Sequence, residues 1–133
     1  MIACEAGHVE VVELIIDHDP SLLFDCSTER GTPLHSAIVS QKADVIVPLL
    51  LECYDELHRT KEMVNKKDES GIHPLFLSCF TGNFELTKLL MESGADPSQS
   101  SNNHNVSPLH ICAERGFHEL AELLLEESPE LVF

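Results

Sequence analysis

Aromatic residues are scarce in this sequence of 133 residues, which has no tryptophan, one tyrosine and an aromatic share of only 5%. A hydrophobic core must therefore be built from Leu, Ile, Val and Ala, which suits helices packed at close range better than a barrel or a sandwich. The hydrophobic share of 43% is ordinary for a globular protein, and the length is about that of one domain. We therefore predict a single helical domain over residues 1–133.

Long apolar runs and paired cysteines are also missing. The longest apolar run, Val45 to Leu51, is far too short to span a bilayer, so we expect no direct membrane insertion. No basic segment followed by an apolar one marks a secretory signal. The five cysteines are widely spaced and form no CxxC pair, which argues against a disulfide framework or a zinc knuckle. We expect an intracellular protein, cytoplasmic or nuclear, with reduced thiols.

Basic residues are few, with 8 Lys and Arg against 23 Asp and Glu and a net charge of −15. So negative a field repels phosphate backbones, so nucleic acid is not an expected partner. A protein with a basic or apolar surface is the expected partner, although many of the acids are solvated helix faces on the alternative interpretation. Half of the bases fall in one segment, which is either a contact for an acidic group or a solvated insertion: Arg59, Lys61, Lys66 and Lys67.

Four copies of one pattern occupy nearly the whole chain. Aligning SPLHICAERGFHELAELLLEE with HPLFLSCFTGNFELTKLLMES places Pro108 on Pro74 and Gly116 on Gly82, an offset of 34 residues. The segment TPLHSAIVSQKADVIVPLLLE joins them with Pro33 on Pro74, an offset of 41. The N-terminal GHVEVVELII supplies a fourth second half. The predicted repeats cover about 1–26, 27–67 with a long insertion, 68–101 and 102–133.

These copies resemble the ankyrin repeat, whose signature is a TPLHxA-type opening and a GHxEVVxxLL-type second half. The resemblance implies an all-α ankyrin-repeat solenoid of stacked helix-turn-helix units joined by short hairpin loops. It also implies that the imidazoles of His35 and His110 hydrogen-bond to backbone between neighbouring repeats. Phe76 replaces this histidine in repeat three, so we expect that link to be lost there. Asn65 falls where such repeats often carry an asparagine that is sometimes hydroxylated, although simple turn chemistry is the alternative.

The residue types at the expected helix ends agree with that pattern. Proline is tolerated at the first helical position, and a hydroxyl before it can cap the helix. A glycine that adopts left-handed backbone ends many helices. The predicted structural residues are Thr32, Pro33, His35, Pro74, Gly82, Pro108, His110 and Gly116, with Gly7 and Ser107 in the same roles.

The second helix of each repeat carries an apolar stripe at three- and four-residue spacing, which we expect to face neighbouring repeats. The stripe consists of Val11, Leu14 and Ile15, then Leu86, Leu89 and Leu90, then Leu120, Leu123 and Leu124. Repeat two departs from the pattern, with Gln41 in place of the glycine and Pro48 inside the second helix, where it invites a kink. We expect its seven extra residues to form an extended second helix and a longer loop.

Neither end of the chain carries the polar outer face expected of a terminal repeat. We therefore expect a fragment of a longer array, or end-to-end self-association through the terminal repeats.

No pattern of catalytic or metal-binding residues is recognisable. His8, His18, His58, His73, His104 and His118 are expected at scattered, exposed positions without the spacing that zinc requires. Cys112 follows His110 by two residues, which makes a nucleophile pair conceivable, but side chains at that spacing diverge on a helix and a buried structural thiol is favoured. We expect no cofactor and no enzymatic activity.

The resemblance places binding at the hairpin tips and at the late residues of the first helices, on the concave face. Phe80 is the favoured anchor because it is aromatic, although packing against a neighbouring repeat is the alternative. The candidate partner-binding residues are Glu5, Glu29, Val39, Ser40, Glu69, Ser70, Ile72, Phe80, Thr81, Asn103, His104, Glu114 and Arg115. The predicted function is a protein-interaction module. The alternative is a spacer segment of a larger array, such as the cytoplasmic part of a channel or a scaffold.

Overall fold

Helices follow one another in pairs in the computed structural model, which describes residues 8–24, 31–100 and 106–128. Helix α1 spans Val9–His18, and a 3-10 helix follows at Pro20–Phe24. The remaining helices are α2 Pro33–Ile38, α3 Ala43–Glu56, α4 Thr60–Val64, α5 Pro74–Thr81, α6 Phe84–Glu92, α7 Pro108–Arg115 and α8 His118–Glu127. The architecture is the expected all-α solenoid of helix-turn-helix units.

The helices form two layers that share one aliphatic core. The first helices of the repeats, α2, α5 and α7, pack in series, and so do the second helices, α1, α3, α6 and α8. Leu34 and Leu75 are fully buried in the first layer, and Leu50, Leu90 and Leu124 are fully buried in the second. Each of these helices therefore packs against a helix of another repeat, as stacked repeats require.

The first helix of repeats two, three and four begins at the motif proline. It ends at the motif glycine in repeats three and four but not in repeat two. Helices α2, α5 and α7 each begin at a proline, and Gly82 and Gly116 end α5 and α7 with left-handed backbone. Repeat two has Gln41 where the glycine belongs, and α2 ends at Ile38, two residues earlier than α5 does in the alignment. The turn between α2 and α3, at residues 39–42, is therefore longer than the turn between α5 and α6. The surface beside α5 differs as a result.

The predicted stripe of the second helices is wrong for α1. Val11 and Leu14 are 44% and 56% exposed, and Val12 is the fully buried residue of this helix. Their counterparts in α6 are less exposed: Leu86 is 4% exposed and Leu89 is half-buried. Among the described second helices, α1 packs against α3 alone, whereas α6 packs against both α3 and α8, so the same pattern leaves more side chains exposed on α1.

The insertion of repeat two is more ordered than predicted. Helix α3 is 14 residues long and continues through Pro48, as an extended second helix should. The expected loop instead contains α4. Arg59, just before α4, pairs with Glu62 at 2.7 Å and stacks over the ring of Phe24 at 4.0 Å. Lys67 donates a hydrogen bond to the carbonyl of Ser100 at 3.3 Å, so part of the basic cluster serves internal contacts.

Within residues 8–24, 31–100 and 106–128, no helix combines the length and the apolar character needed to cross a bilayer.

Candidate functional site

The imidazole of His35 joins repeat two to repeat three. Its Nδ1 accepts a hydrogen bond from the backbone N–H of Thr32 at 3.1 Å. Its Nε2 must therefore carry the proton, which it donates to the carbonyl of Ile72 at 2.9 Å. Burial lowers the pKa of His35, although the bond to Ile72 and the charge of Asp68 act in the opposite direction. The neutral ring is thus held as a tie between backbone segments and has no exposed edge for catalysis.

His73 is a second buried histidine bonded to backbone, which contradicts one prediction. It is fully buried rather than exposed, and its Nε2 lies 3.1 Å from the carbonyl of Gln99. Both residues lie in repeat three, so this bond does not replace the link between repeats that is expected to be lost at Phe76. His73 occupies the position, just before the proline, that Thr32 has in repeat two. Burial also lowers the pKa of His73.

His110 and Cys112 do not form a nucleophile pair. The Nδ1 of His110 lies 2.8 Å from the hydroxyl of Ser107, on an exposed part of α7, whereas Cys112 is fully buried. A hydrogen bond with Cys112, together with burial, raises the pKa of the Cys79 thiol above its usual range. Among the described residues, no three His, Cys, Asp or Glu side chains are arranged to hold a metal ion.

The hairpin tip before α5 is organised by Asp68. One carboxylate oxygen of Asp68 accepts hydrogen bonds from the backbone N–H groups of Ser70 and Ile72, at 2.8 and 2.9 Å. Glu69 and Ser70 are exposed at this tip, and Ile72 is half-buried with its carbonyl bonded to His35. The tip thus presents a charged and a hydroxyl side chain on a fixed backbone.

A groove of about 450 Å³ lies where the turn after α2 faces the end of α5. Val39, 53% exposed, lies on its wall. The hydroxyls of Ser40 and Thr81 donate to the carbonyls of Ala37 and Ser78, at 2.8 and 2.9 Å, so their methylene and methyl groups are left to the groove. The full lining is Ile38, Val39, Ser40, Gln41, Ala43, Asp44, Thr81 and Asn83.

Sequence reasoning missed Asp44 and Asn83 as groove residues. Asn83 precedes α6, and its side chain accepts a hydrogen bond from the N–H of Leu86 at 3.1 Å, which fixes it at the edge of the groove. Asp44 lies in the first turn of α3. The available signal was the departure of repeat two from the pattern at Gln41, since the shortened α2 opens the space that these residues line.

The late residues of α5 and α7 come together through Phe80 and Arg115. The Phe80 ring is 45% exposed, and the guanidinium carbon of Arg115 lies 4.6 Å from its centroid. The same guanidinium lies 5.4 Å from the ring centroid of Phe117. Glu114 is exposed beside Arg115. Two aromatic rings and one cation therefore form a small mixed surface.

The structure thus divides the predicted binding residues into separate groups. Val39, Ser40 and Thr81 share the groove, Phe80 and Arg115 share the stack, and the tip residues Glu69, Ser70 and Ile72 do not line the groove. Four predicted residues lie outside the described part of the chain: Glu5, Glu29, Asn103 and His104.

The chain is similar in sequence to proteins of several kinds. A family model described as ankyrin repeats in three copies matches residues 1–61 and 50–132. Transient receptor potential cation channel subfamily A member 1 of Homo sapiens is 30% identical over 130 residues, which cover 96% of this chain and 11% of the channel subunit. Alpha-latrocrustotoxin-Lt1a of Latrodectus tredecimguttatus is 25% identical over 92% of this chain and 8% of the toxin.

A third relative is closer to this chain in length. Probable 26S proteasome regulatory subunit p28 of Saccharomyces cerevisiae is 27% identical over 130 residues, covering 97% of this chain and 55% of that subunit. The chain therefore spans between 8% and 55% of the length of these three relatives.

Proposed function

The chain belongs to the ankyrin-repeat family, and from this premise we propose that it is a non-enzymatic module that binds another protein. The proposed binding surface consists of the groove beside Val39, the stacked pair Phe80 and Arg115, and the hairpin tip at Glu69 and Ser70. Repeats of this family are generally protein-interaction modules, which supports the class of function. The partner itself is part of the proposal.

The observation that carries the proposal is the exposure of two apolar side chains beside bonded polar groups. Phe80 is 45% exposed and Val39 is 53% exposed, at positions where a merely solvated surface would carry polar residues. Phenylalanine and arginine are both enriched in the buried cores of protein interfaces relative to the rest of the surface. The surface therefore supports recognition of an apolar side chain of the partner.

The chemistry of the partner follows from charge. A net charge of −15 favours a partner with a basic surface and disfavours nucleic acid. We place the module inside the cell, in cytoplasm or nucleus, and the described cysteines, Cys53, Cys79 and Cys112, are free of disulfides, which supports this.

A spacer role within a longer array is the second candidate. Its support is that the chain matches only a part of each relative, among them a cation channel subunit and a probable proteasome regulatory subunit. In that case the repeats would hold other domains apart, and the exposed side chains would be energetically neutral.

A matched pair of double variants separates the two candidates. Val39→Ala with Phe80→Ala removes the proposed anchors, and Val45→Ala with Leu57→Ala removes side chains that are 42% and 45% exposed elsewhere. Proteins captured from extract by the wild-type chain are identified and their affinities measured. Loss of the Phe80 side chain alone should reduce the binding free energy by about 2 kcal/mol, or roughly 30-fold in affinity, so we expect the first double variant to lose at least this much. We expect the control double variant to keep the wild-type affinity. Equal retention by both variants, with both folded, would favour the spacer.

A further inference from the structure

A second groove, of about 360 Å³, lies between the second helices α3 and α6. It meets the groove beside Val39 at Asp44 and Asn83, which line both. The side chains around it are those of Asp44, Pro48, Asn83, Glu85, Leu86, Lys88, Leu89 and Glu92. None of the binding residues predicted from the sequence belongs to this set.

The floor of the groove is apolar, and Pro48 forms its α3 side. Pro48 is exposed on α3, and Leu86 and Leu89 lie across from it on α6, buried and half-buried. Pro48 lacks the N–H that would make the usual bond to the carbonyl one turn earlier in α3, that of Asp44. The corresponding groove between α6 and α8 is smaller, at about 190 Å³.

The rim of the groove is acidic. Asp44, Glu85 and Glu92 are exposed carboxylates, and Lys88 is the one basic residue that lines the groove. Within the part of the chain that the structure describes, none of these three carboxylates forms an ion pair. A ligand that carries positive charge around an apolar group therefore matches both the floor and the rim.

We propose that this groove binds a basic peptide segment of another protein and accommodates one apolar side chain of that segment between Pro48 and Leu89. Lysine or arginine side chains on either side of the apolar residue contact Glu85 and Glu92. The groove lies on the second-helix layer, so this site goes beyond the surface at Phe80 and does not depend on it.

The test uses a short synthetic fluorescent peptide of Lys and Ala residues with one central Leu, and measures its affinity by fluorescence anisotropy. A peptide with Ser in place of Leu tests the apolar floor, and we expect it to bind roughly tenfold more weakly, as the loss of one buried side chain implies. Amide chemical shifts in the labelled chain locate the peptide, with the largest changes expected along α3 and α6.

A charge-reversed pair of variants supplies the matched control. Glu85→Lys with Glu92→Lys alters the rim, and Glu119→Lys with Glu126→Lys alters exposed residues exactly one repeat later on α8, with the same change of net charge. We expect the first pair to weaken binding roughly tenfold more than the second, since close contacts outweigh screened ones.

Two outcomes would overturn the proposal. Equal losses in the two charge-reversed pairs would mean that the peptide binds the diffuse negative field, and equal affinity of the Leu and Ser peptides would mean that the floor is not used. The Phe80→Ala variant, whose side chain lines neither groove, should bind the peptide as the wild type does, which separates this site from the proposed function. Circular dichroism and urea unfolding verify that every variant is folded.

Discussion

The guanidinium of Arg115 lies over the exposed ring of Phe80, with 4.6 Å between the guanidinium carbon and the ring centroid. The contact joins the last turn of α5 to the last turn of α7, so it crosses from one repeat to the next. A partner that uses Phe80 as an anchor must therefore either displace Arg115 or pack against the stacked pair. The stack holds the ring in one orientation, which reduces the entropy lost on binding.

A double-mutant cycle measures this contact. Phe80→Leu removes the aromatic ring but keeps an apolar side chain, and Arg115→Met removes the charge but keeps the length of the side chain. We expect a coupling free energy of about 0.5 to 1 kcal/mol, the value typical of cation–π pairs at exposed sites. The free energy of unfolding in urea, measured for the four proteins, gives the coupling directly. Strict additivity of the two substitutions would mean that the stack does not persist in solution.

The two buried histidines predict a loss of stability in mild acid. Burial lowers the pKa values of His35 and His73 in the folded chain. When the pH falls through the unfolded value of about 6.5, the unfolded chain therefore binds protons that the folded chain does not. The free energy of unfolding should decrease from that pH downward until the folded imidazoles also become protonated.

Urea unfolding at a series of pH values between neutral and mildly acidic checks this prediction. His35→Gln should lower stability at neutral pH, because a buried hydrogen-bonded tie is altered, and should also flatten the pH dependence. His118→Gln, at an exposed position of α8, is the control for the loss of one histidine. An undiminished pH dependence in a variant lacking both His35 and His73 would contradict the assignment.

The repeat pattern predicts the helical architecture well because it states backbone requirements. A proline can begin a helix and a left-handed glycine can end one, whatever surrounds them, so the bounds of α5 and α7 follow from local chemistry. The burial of a side chain depends on which helices pack around it, and the repeat pattern does not predict this. Leu86 and Val11 occupy the same position in their repeats, yet Leu86 is 4% exposed and Val11 is 44% exposed.

His73 shows the same limit for the candidate site. The motif directs attention to the third position of the first helix, where Phe76 stands, and gives the residue before the proline only the role of a helix cap. Only the path of residues 95–100, which brings the Gln99 carbonyl to His73, makes that imidazole a tie. The groove beside Val39 likewise depends on how early α2 ends. The presence of Gln41 in place of the motif glycine indicates that α2 ends differently, but it does not predict the shape of the groove.

Asn65 connects two loops through its side-chain amide. The Nδ2 group donates to the carbonyls of Lys61 and Gly94 at 2.9 and 3.0 Å, and Oδ1 accepts from the N–H of Asp96 at 2.8 Å. Asn65 thus has the turn-stabilising role that was the alternative interpretation of the sequence, and its bonds also reach the next repeat.

Removal of this amide should cost more than removal of a simple cap. We expect Asn65→Ala to lower the free energy of unfolding by about 2 to 3 kcal/mol, because several backbone groups lose their partner at once. Asn83→Ala, which removes one capping bond, should cost about 1 kcal/mol. Urea unfolding of both variants gives the comparison, and a smaller loss for Asn65→Ala would mean that water replaces its bonds.

The two glycines that end α5 and α7 offer a matched pair of substitutions. Gly82 and Gly116 have nearly the same left-handed backbone, with φ of 78° and 74°. A Cβ on Gly82 would lie 2.9 Å from the ring of Phe117, whereas a Cβ on Gly116 would meet nothing within 4 Å. Alanine should therefore cost only backbone strain at Gly116, and strain plus a steric overlap at Gly82.

We expect Gly116→Ala to lower the free energy of unfolding by about 1 to 2 kcal/mol, the cost of left-handed backbone for an L-residue. Gly82→Ala should cost about 1 to 3 kcal/mol more, because the packed ring must move. Phe117→Leu removes the ring edge that the new Cβ would meet, so it should recover part of the excess when combined with Gly82→Ala and none when combined with Gly116→Ala. Thermal and urea unfolding of the single and double variants decide the matter, and equal losses at the two glycines would mean that the turn after α5 yields without disturbing Phe117.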